Sequence, residues 1–253
     1  MSKIALVTGA SAGFGAAISR RLIAEGYTVV GAARRLDRLH TLQAELGSAF
    51  HPLVMDVTDA AAIDQGCAWI AQQFPGLDLL VNNAGLALGV APAQEASLND
   101  WERMIATNVL GLTRLVHAVL PGMVKRNQGH IVNIGSTAGS HPYPGGNVYG
   151  ATKAFVRQLS LNLRADLWGT QVRVTNIEPG LCGGTEFSLV RLGDTDRAAA
   201  VYEGADPLTA DDIADAVVWT ATRPARVNIN TLELMPVSQS FAGLKIHRET
   251  PAA

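Results

Sequence analysis

The sequence predicts an α/β fold built on a doubly wound parallel sheet of about seven strands. Short apolar runs rich in β-branched residues alternate with longer segments of helical periodicity along the chain. A glycine-rich loop joins the first run to the first helical segment, as at the start of a βαβ unit. The 253 residues suffice for one large core and are too few for two well-separated ones, so we expect residues 1–253 to form a single Rossmann-like domain.

Charge and composition argue against several classes of function. The net charge is −2, and the sequence contains no Lys- and Arg-rich run that could bind a phosphate backbone, so we expect no nucleic-acid partner. The first apolar run has only about five residues, too short for a signal sequence or a membrane span, and we expect a soluble cytoplasmic protein without a membrane partner. Cys67 and Cys182 are too few for a disulfide framework or a metal site, so no metal is expected.

The first element runs from a strand at residues 3–8 through a glycine loop into a helix that ends near Gly26. Gly9, Gly13 and Gly15 allow a tight turn and a close approach to a pyrophosphate at the helix N-terminus. Their spacing, Gly-x-x-x-Gly-x-Gly, differs from the usual dinucleotide fingerprint, and a purely structural turn is the alternative.

Two arginines follow the second predicted strand, at residues 28–33. In a parallel βαβ unit this strand end lies beside the glycine loop, where the adenosine ribose of a dinucleotide binds. An NAD site offers an acidic residue there, whereas Arg34 and Arg35 suit a 2′-phosphate. The position therefore favours NADP, the alternative being a solvated arginine pair that opens a helix.

Further strands are predicted at residues 50–56, 77–81, 130–134, 171–177 and 231–235, with helices near 59–74, 101–123 and 149–169. Ligands collect at the carboxyl ends of parallel strands, so the residues at these ends are site candidates. They are Asp56-Val57, Asn82 to Gly85, Ser136 and Pro179-Gly180. Asn108 lies within a predicted helix, where it is either a site residue or simply an exposed polar one.

Tyr149 and Lys153 are four residues apart and share one face of the last of these helices. An ordinary Tyr titrates near pH ~10, and a neighbouring ammonium favours the phenolate that could move a proton. Taken alone, the same spacing is common on solvated helix faces.

Together these motifs resemble the short-chain dehydrogenase/reductase family over essentially the whole chain. They are Thr8-Gly9-x-x-x-Gly13-x-Gly15, Asn82-Asn83-Ala84-Gly85, Asn108, Ser136, Tyr149-x-x-x-Lys153 and Pro179-Gly180. The stretches that begin at Tyr149, Glu178 and Asn228 are more narrowly similar to NADP-dependent 3-hydroxy acid dehydrogenases, which also oxidise serine.

The resemblance implies a role for each matching residue. Tyr149 would be the general acid/base, and Lys153 would lower the Tyr149 pKa and bind the nicotinamide ribose. Ser136 would hold the substrate oxygen, and Asn108 would support a water that relays protons. The implied NADP(H)-binding residues are Gly9, Ser11, Gly13, Phe14, Gly15, Arg34, Arg35, Asp56, Val57, Asn82, Ala84, Gly85, Tyr149, Lys153, Pro179, Gly180 and Thr185.

A long loop-like segment at about residues 181–206 precedes a probable helix cap at Thr209, and such segments often form lids. We expect it to close over the substrate, with Arg191 or the amides of Gly183 and Gly184 binding an acid group, unless Arg191 only sits on the lid surface. Residues 141–143 either border the pocket or form a plain loop. The tail at about 237–253 is either a subunit contact in a homotetramer or a loose end.

Three functions remain open from the sequence. The first is an NADP-dependent dehydrogenase acting on small 3-hydroxy acids such as serine, 3-hydroxypropionate or allo-threonine. The second is an NADPH-dependent reductase of another small polar carbonyl, such as sulfoacetaldehyde, since the motifs do not separate a carboxylate from a sulfonate. The third is an NADP-binding regulatory protein without turnover, which the intact Ser-Tyr-Lys-Asn set disfavours.

Overall fold

The computed structural model describes residues 2–241, and within them seven parallel strands form one sheet in the order β3-β2-β1-β4-β5-β6-β7. The strands are β1 Ile4–Thr8, β2 Thr28–Ala33, β3 Phe50–Val54, β4 Leu79–Asn82, β5 Gly129–Ile134, β6 Val172–Pro179 and β7 Thr231–Leu234. The order reverses between β1 and β4, which opens a crevice at the carboxyl ends of the central strands. The predicted fold class is confirmed.

Helices cover both faces of the sheet. They are α1 Gly13–Ala24, α2 Leu36–Leu46, α3 Ala60–Gln73, α4 Leu98–Ile105, α5 Leu112–Arg126, α6 Asn147–Asp166, α7 Phe187–Leu192, α8 Thr195–Ala200 and α9 Ala210–Ala221. One core lies where α1 and α9 pack on the sheet, with Ile18 and Val217 fully buried. The other lies beneath α3, α5 and α6, around residues such as Ile63 and Leu115. Burial on both faces explains why the strands read as continuous apolar runs.

The helix predicted at residues 101–123 is interrupted in the structure. A π-helical turn, Ala106–Gly111, separates α4 from α5 and contains Asn108, which is buried rather than exposed. Such turns insert an extra residue into a helix and often occur at functional sites. By length and composition alone the span Leu98–Arg126 could cross a membrane, but it supplies core residues such as Leu112 to the helix layer on the sheet.

The segment at 181–206 differs from the prediction because it contains two short helices, α7 and α8, rather than loop alone. Gly193, with a φ of 66°, ends α7, and the Asp194 carboxylate caps α8 by accepting a 2.8 Å hydrogen bond from the Arg197 amide. Six residues are too few to produce a periodic apolar pattern, so the sequence did not indicate these helices. Thr209 and Asp212 form the predicted cap of α9 as a full capping box. Residues 242–253 of the predicted tail lie outside the described residues.

Candidate active site

A cavity of about 720 Å³ opens at the carboxyl ends of the central strands and is lined in part by the segment at residues 181–206, which keeps here the name lid given to it as a prediction. Most of the residues predicted for the site line it. They are Gly9, Ser11, Gly13, Phe14, Arg34, Arg35, Asp56, Val57, Ala84, Gly85, Ser136, Tyr149, Lys153, Pro179, Gly180, Thr185 and Arg191. These predicted residues span 182 positions of the sequence, from Gly9 to Arg191, and the fold brings them together in one cavity.

Asn82 is placed differently from the prediction. Its side chain is buried within the sheet and donates a 2.8 Å hydrogen bond from Nδ2 to Oδ1 of Asn133, its neighbour on β5. Asn83 lines the cavity instead, and its Nδ2 holds the glycine loop through a 2.7 Å hydrogen bond to the Thr8 carbonyl. The side chains of a strand alternate between faces, so only one of two adjacent asparagines could face the ligand.

The glycine loop forms a cradle at the start of α1. Gly9 and Gly13 have φ angles of 68° and 51°, which favour glycine. A Cβ on Gly15 would lie 2.3 Å from the Gly9 carbonyl oxygen, so Gly15 supports the loop from beneath rather than lining the cavity. Ala12, the residue before α1, gives the helix no side-chain cap, which leaves amide groups of its first turn to bind an anion. This cradle fits a diphosphate.

Arg34 and Arg35 lie at the end of β2, on the adenosine side of the cavity. Nη2 of Arg35 lies 3.3 Å from the Ser11 hydroxyl of the glycine loop, and Nη1 of Arg34 lies 4.0 Å from the Asp56 carboxylate. Arg34 is 74% exposed, so its guanidinium is accessible to a ligand. Two guanidinium groups beside a diphosphate cradle suit the additional phosphate of NADP.

Tyr149 and Lys153 are both buried on the cavity side of α6. Nζ of Lys153 donates a 2.8 Å hydrogen bond to the Ile134 carbonyl and lies 5.9 Å from the centroid of the Tyr149 ring. Burial lowers the pKa of Lys153 to about 8. The predicted spacing thus places a phenol and an ammonium side by side in a desolvated site.

The pKa of Tyr149 does not follow the expectation based on Lys153. Burial raises this pKa to about 12, because a phenolate loses its hydration in the cavity wall. The hydroxyl of Ser136 and, more weakly, the charge of Arg191 act in the opposite direction. Within the described residues the cation that lowers the Tyr149 pKa is therefore that of Arg191, while Lys153 is occupied by the Ile134 carbonyl.

Ser136 and Asn108 occupy fixed positions on either side of this pair. The Ser136 hydroxyl accepts a 3.1 Å hydrogen bond from the Ala138 amide, which orients it at the end of β5. Asn108 accepts from the Leu86 amide and donates to the Leu86 carbonyl and to the Thr152 hydroxyl, so its side chain is engaged behind the cavity rather than lining it. A Cβ built on Gly85 would lie 3.3 Å from Oδ1 of Asn108 and 3.5 Å from Nζ of Lys153, so both polar groups lie beside this glycine.

Arg191 extends from α7 into the wall of the cavity near Tyr149. Its Nη2 donates a 2.9 Å hydrogen bond to the Tyr143 hydroxyl, and its Nε donates to the Gly89 carbonyl at 3.2 Å. Its guanidinium carbon lies 5.5 Å from the centroid of the Tyr149 ring. Arg191 therefore belongs to the cavity wall, and the alternative that it only covers the lid surface is wrong.

The glycine amides offered as an alternative anion site are not placed for it. The amide of Gly183 donates a 2.8 Å hydrogen bond to the Leu208 carbonyl, and neither Gly183 nor Gly184 lines the cavity. His141 and Tyr143 border the cavity as one of the two predictions had it, whereas Pro142 does not.

Several cavity residues carried no signal in the sequence. They are Ser188 and Tyr202 of the lid, Glu186 just before α7, and Gln239 and Phe241 at the start of the tail. Gln239 accepts a 2.7 Å hydrogen bond from the Leu181 amide, which ties the tail to the lid. None of them was singled out as a site residue, because their places in the cavity depend on the packing of the lid and the tail rather than on a local sequence pattern.

Comparison with known proteins identifies the family. A family model described as short chain dehydrogenase matches residues 3–191, about three quarters of the chain. The chain belongs to this family. The resemblance drawn from the sequence motifs is therefore confirmed at the level of the family.

Similar proteins include several with a named activity. The NADP-dependent 3-hydroxy acid dehydrogenase of Salmonella typhi is 61% identical over 246 residues, which cover 97% of this chain and 99% of that protein. The serine 3-dehydrogenase of Agrobacterium fabrum is 52% identical and matches 99% and 100% of the two chains. A closed form of serine dehydrogenase complexed with NADP+ is similar with a TM-score of 0.95 at 59% identity, covering 97% of this chain and all of that one.

Proposed function

We propose that this short-chain dehydrogenase is an NADP-dependent oxidoreductase that transfers a hydride between NADP(H) and a small 3-hydroxy acid. Serine, 3-hydroxypropionate and allo-threonine are the type of substrate we expect. The observation that carries the proposal is the Arg191 guanidinium, held 5.5 Å from the centre of the Tyr149 ring inside the cavity. The names of relatives at 52–61% identity support the same substrate class.

The residues of the adenosine half fit NADP. The cradle formed by Gly9, Gly13 and the first turn of α1 would hold the diphosphate. Arg34 and Arg35 would bind the 2′-phosphate, since a guanidinium forms strong charge-assisted hydrogen bonds with phosphate oxygens. When bound, the nicotinamide accepts a hydride from the carbon that bears the substrate hydroxyl.

Proton transfer belongs to Tyr149. In the oxidation direction its phenolate takes the proton from the substrate hydroxyl, and in the reduction direction its hydroxyl returns one to the carbonyl oxygen. Ser136, fixed by the Ala138 amide, would donate a hydrogen bond to the same substrate oxygen. The phenolate needs help in this buried site, because burial raises the pKa of Tyr149 to about 12.

We assign substrate selection to the part of the cavity wall that contains Arg191. Arg191 is positioned there by the hydroxyl of Tyr143 and by the carbonyls of Gly89 and Gly145. These contacts do not compensate the positive charge of the Arg191 guanidinium, because none of the three partners carries a negative charge. A carboxylate one or two carbons from the reacting hydroxyl would neutralise it, which favours short hydroxy acids over neutral alcohols.

The test is a substrate panel followed by the absorbance of NADPH. We expect NADP+-dependent oxidation of serine, 3-hydroxypropionate and allo-threonine, little oxidation of matched neutral alcohols, and weaker activity with NAD+. Reduction of sulfoacetaldehyde with a higher kcat/KM than the carbonyl forms of the hydroxy acids would favour the second candidate. Tight NADPH binding with no turnover of any substrate would favour a regulatory protein.

The assembly and the location of the protein are part of this proposal. We propose a homotetramer, supported by large exposed apolar side chains on α5 and α6, among them Val124, Phe155 and Leu161. A cytoplasmic location is supported by two cysteines that are both unpaired. Light scattering after size-exclusion chromatography tests the first, and cell fractionation tests the second.

A further inference from the structure

Three charged side chains form a cluster at the adenosine end of the lid. The carboxylate of Glu186 accepts a 2.7 Å hydrogen bond from Nη1 of Arg38 on one oxygen. Its other oxygen lies 2.9 Å from Nη2 of Arg35. We call these three residues the clasp. It uses both carboxylate oxygens, and the two guanidiniums lower the pKa of Glu186, so the carboxylate stays ionised at neutral pH.

The clasp connects two parts of the chain that are far apart in sequence. Arg35 follows β2 and Arg38 lies in the first turn of α2, whereas Glu186 immediately precedes α7 of the lid. Beside it, a Cβ built on Gly13 would lie 3.4 Å from the side chain of Thr185. The start of the lid therefore lies beside the glycine loop at Thr185 and is tied to Arg35 and Arg38 through Glu186.

The Arg35 guanidinium contacts another part of the structure besides Glu186. It also contacts the Ser11 hydroxyl of the glycine loop through Nε and Nη2, and it lines the cavity on the side proposed for the 2′-phosphate. Nη1 makes none of these contacts and remains for a ligand within the described part of the chain. One guanidinium can thus touch the lid, the cradle and the cofactor at once.

We propose that Glu186 is a positioning residue for the cofactor, which fastens the lid over the diphosphate by holding Arg35 and Arg38. The proposal rests on the proposed function, because it needs a dinucleotide in the cavity. It assigns Glu186 no contact with the reacting atoms. The arginine that faces the 2′-phosphate also secures the lid, so release of the cofactor requires the clasp to open.

The expected change in the rate of cofactor release follows from the solvent exposure of the clasp side chains. The three side chains are 40–44% exposed, so solvent weakens each ion pair. Two such pairs acting together predict a cofactor release that is about three- to tenfold faster once the clasp is removed. The chemical step should change little at saturating cofactor, since within residues 2–241 no side chain of the clasp forms a hydrogen bond with Tyr149 or Lys153.

The experiment measures release of NADPH from the full-length protein by stopped-flow displacement and exchange of amide hydrogens in residues 187–200 with NADPH bound. The test variants are Glu186→Gln, which keeps the size of the side chain, and Arg38→Gln, which shortens it, and both remove a charge. The matched controls are Glu203→Gln and Arg197→Gln, two exposed lid residues without side-chain hydrogen bonds or ion pairs within residues 2–241. Each test variant should release NADPH faster and lose lid protection, and the double variant should resemble Glu186→Gln, which already removes both ion pairs.

Three outcomes overturn the proposal. The first is a release rate and lid protection that stay at wild-type values in both test variants. The second is additive effects in the double variant, which would mean that the two side chains do not act through one cluster. The third is tighter NADPH binding in Glu186→Gln, which would make Glu186 a competitor of the 2′-phosphate. In all three cases the wild-type substrate panel would remain positive, whereas failure of the proposed function would appear as a wild-type protein that turns over no substrate of the panel, whether or not it binds NADPH.

Discussion

The guanidinium carbon of Arg191 lies 5.5 Å from the centroid of the Tyr149 ring and 5.4 Å from that of Tyr143. One cation therefore serves two purposes in the cavity. It lowers the pKa of the Tyr149 hydroxyl against the stronger effect of burial, and it offers a charge partner for an acid group beside that hydroxyl. The lid thus contributes directly to the site that the sheet and α6 prepare.

Arg191→Ala is the first prediction. It should raise the KM for 3-hydroxy acids tenfold or more, because the variant loses a charged contact of about 1.5–3 kcal/mol with the acid group. The KM for NADP+ should stay unchanged, because within residues 2–241 the Arg191 side chain bonds Gly89, Tyr143 and Gly145 and neither Arg34 nor Arg35. Steady-state kinetics with both substrates varied checks this. Arg197→Ala, on the exposed face of α8, is the matched control, and an unchanged KM for hydroxy acids in Arg191→Ala would remove the acid site from this lid.

Tyr149→Phe is the second prediction, and it tests the proton transfer itself. The variant keeps the ring that packs beside Phe187 and loses only the hydroxyl. We expect kcat to fall by about two to four orders of magnitude with NADPH affinity retained. Fluorescence titration of NADPH alongside turnover separates the two effects. Substantial residual turnover would place the acid/base role elsewhere.

The third prediction concerns the dependence of stability on pH. Burial lowers the pKa of Lys153 from 10.5 to about 8, so below pH 8 the folded protein carries a costly buried charge. Between about pH 8 and 10.5 the folded state binds fewer protons than the unfolded chain, and this group makes the free energy of unfolding rise with pH. Lys153→Met should therefore be more stable than wild type by about 1–2 kcal/mol at pH 7, after the lost hydrogen bond to Ile134 is subtracted.

Urea unfolding of the wild type and of Lys153→Met at pH 7 and 9.5, at one protein concentration, tests the direction of this pH dependence. The advantage of the methionine variant should shrink at the higher pH as the wild-type lysine loses its proton. An advantage that grows with pH would mean that the Lys153 pKa is raised, not lowered. We expect this variant to lose activity as well, so stability is the informative measurement.

The sequence predicted the parts of this molecule that depend on local pattern. Strand ends and glycine positions follow from periodicity and turn chemistry, which is why Ser136 and the Tyr149 pair were found without a structure. Asn82 and Asn83 could not be separated, because a one-residue error in the start of β4 reverses which side chain faces the cavity. Glu186 and Gln239 were missed since their roles depend on contacts with Arg35 and Leu181, which are distant in sequence.

The pKa of Tyr149 illustrates a different limit. Spacing alone suggested that Lys153 lowers it, but spacing contains no information on burial or on what the ammonium binds. The structure places Nζ of Lys153 on the Ile134 carbonyl and removes water from the phenol, so desolvation dominates. Sequence patterns identify which groups meet, whereas their relative electrostatic effects depend on atomic positions.

The last prediction tests the cradle through Gly15. A Cβ at this position would lie 2.3 Å from the Gly9 carbonyl oxygen and 2.7 Å from Nδ2 of Asn83, so the backbone of the loop has to move. Gly15→Ala should destabilise the protein by about 1–3 kcal/mol and weaken NADPH binding at least tenfold, because the amides that would hold the diphosphate shift with the loop. Thermal unfolding and NADPH titration measure both. Gly122→Ala is the control, since in α5 a Cβ would meet only the flexible end of Arg126 and alanine favours the helix by up to about 1 kcal/mol. A Gly15→Ala protein with wild-type NADPH affinity would show that the cofactor does not use this loop.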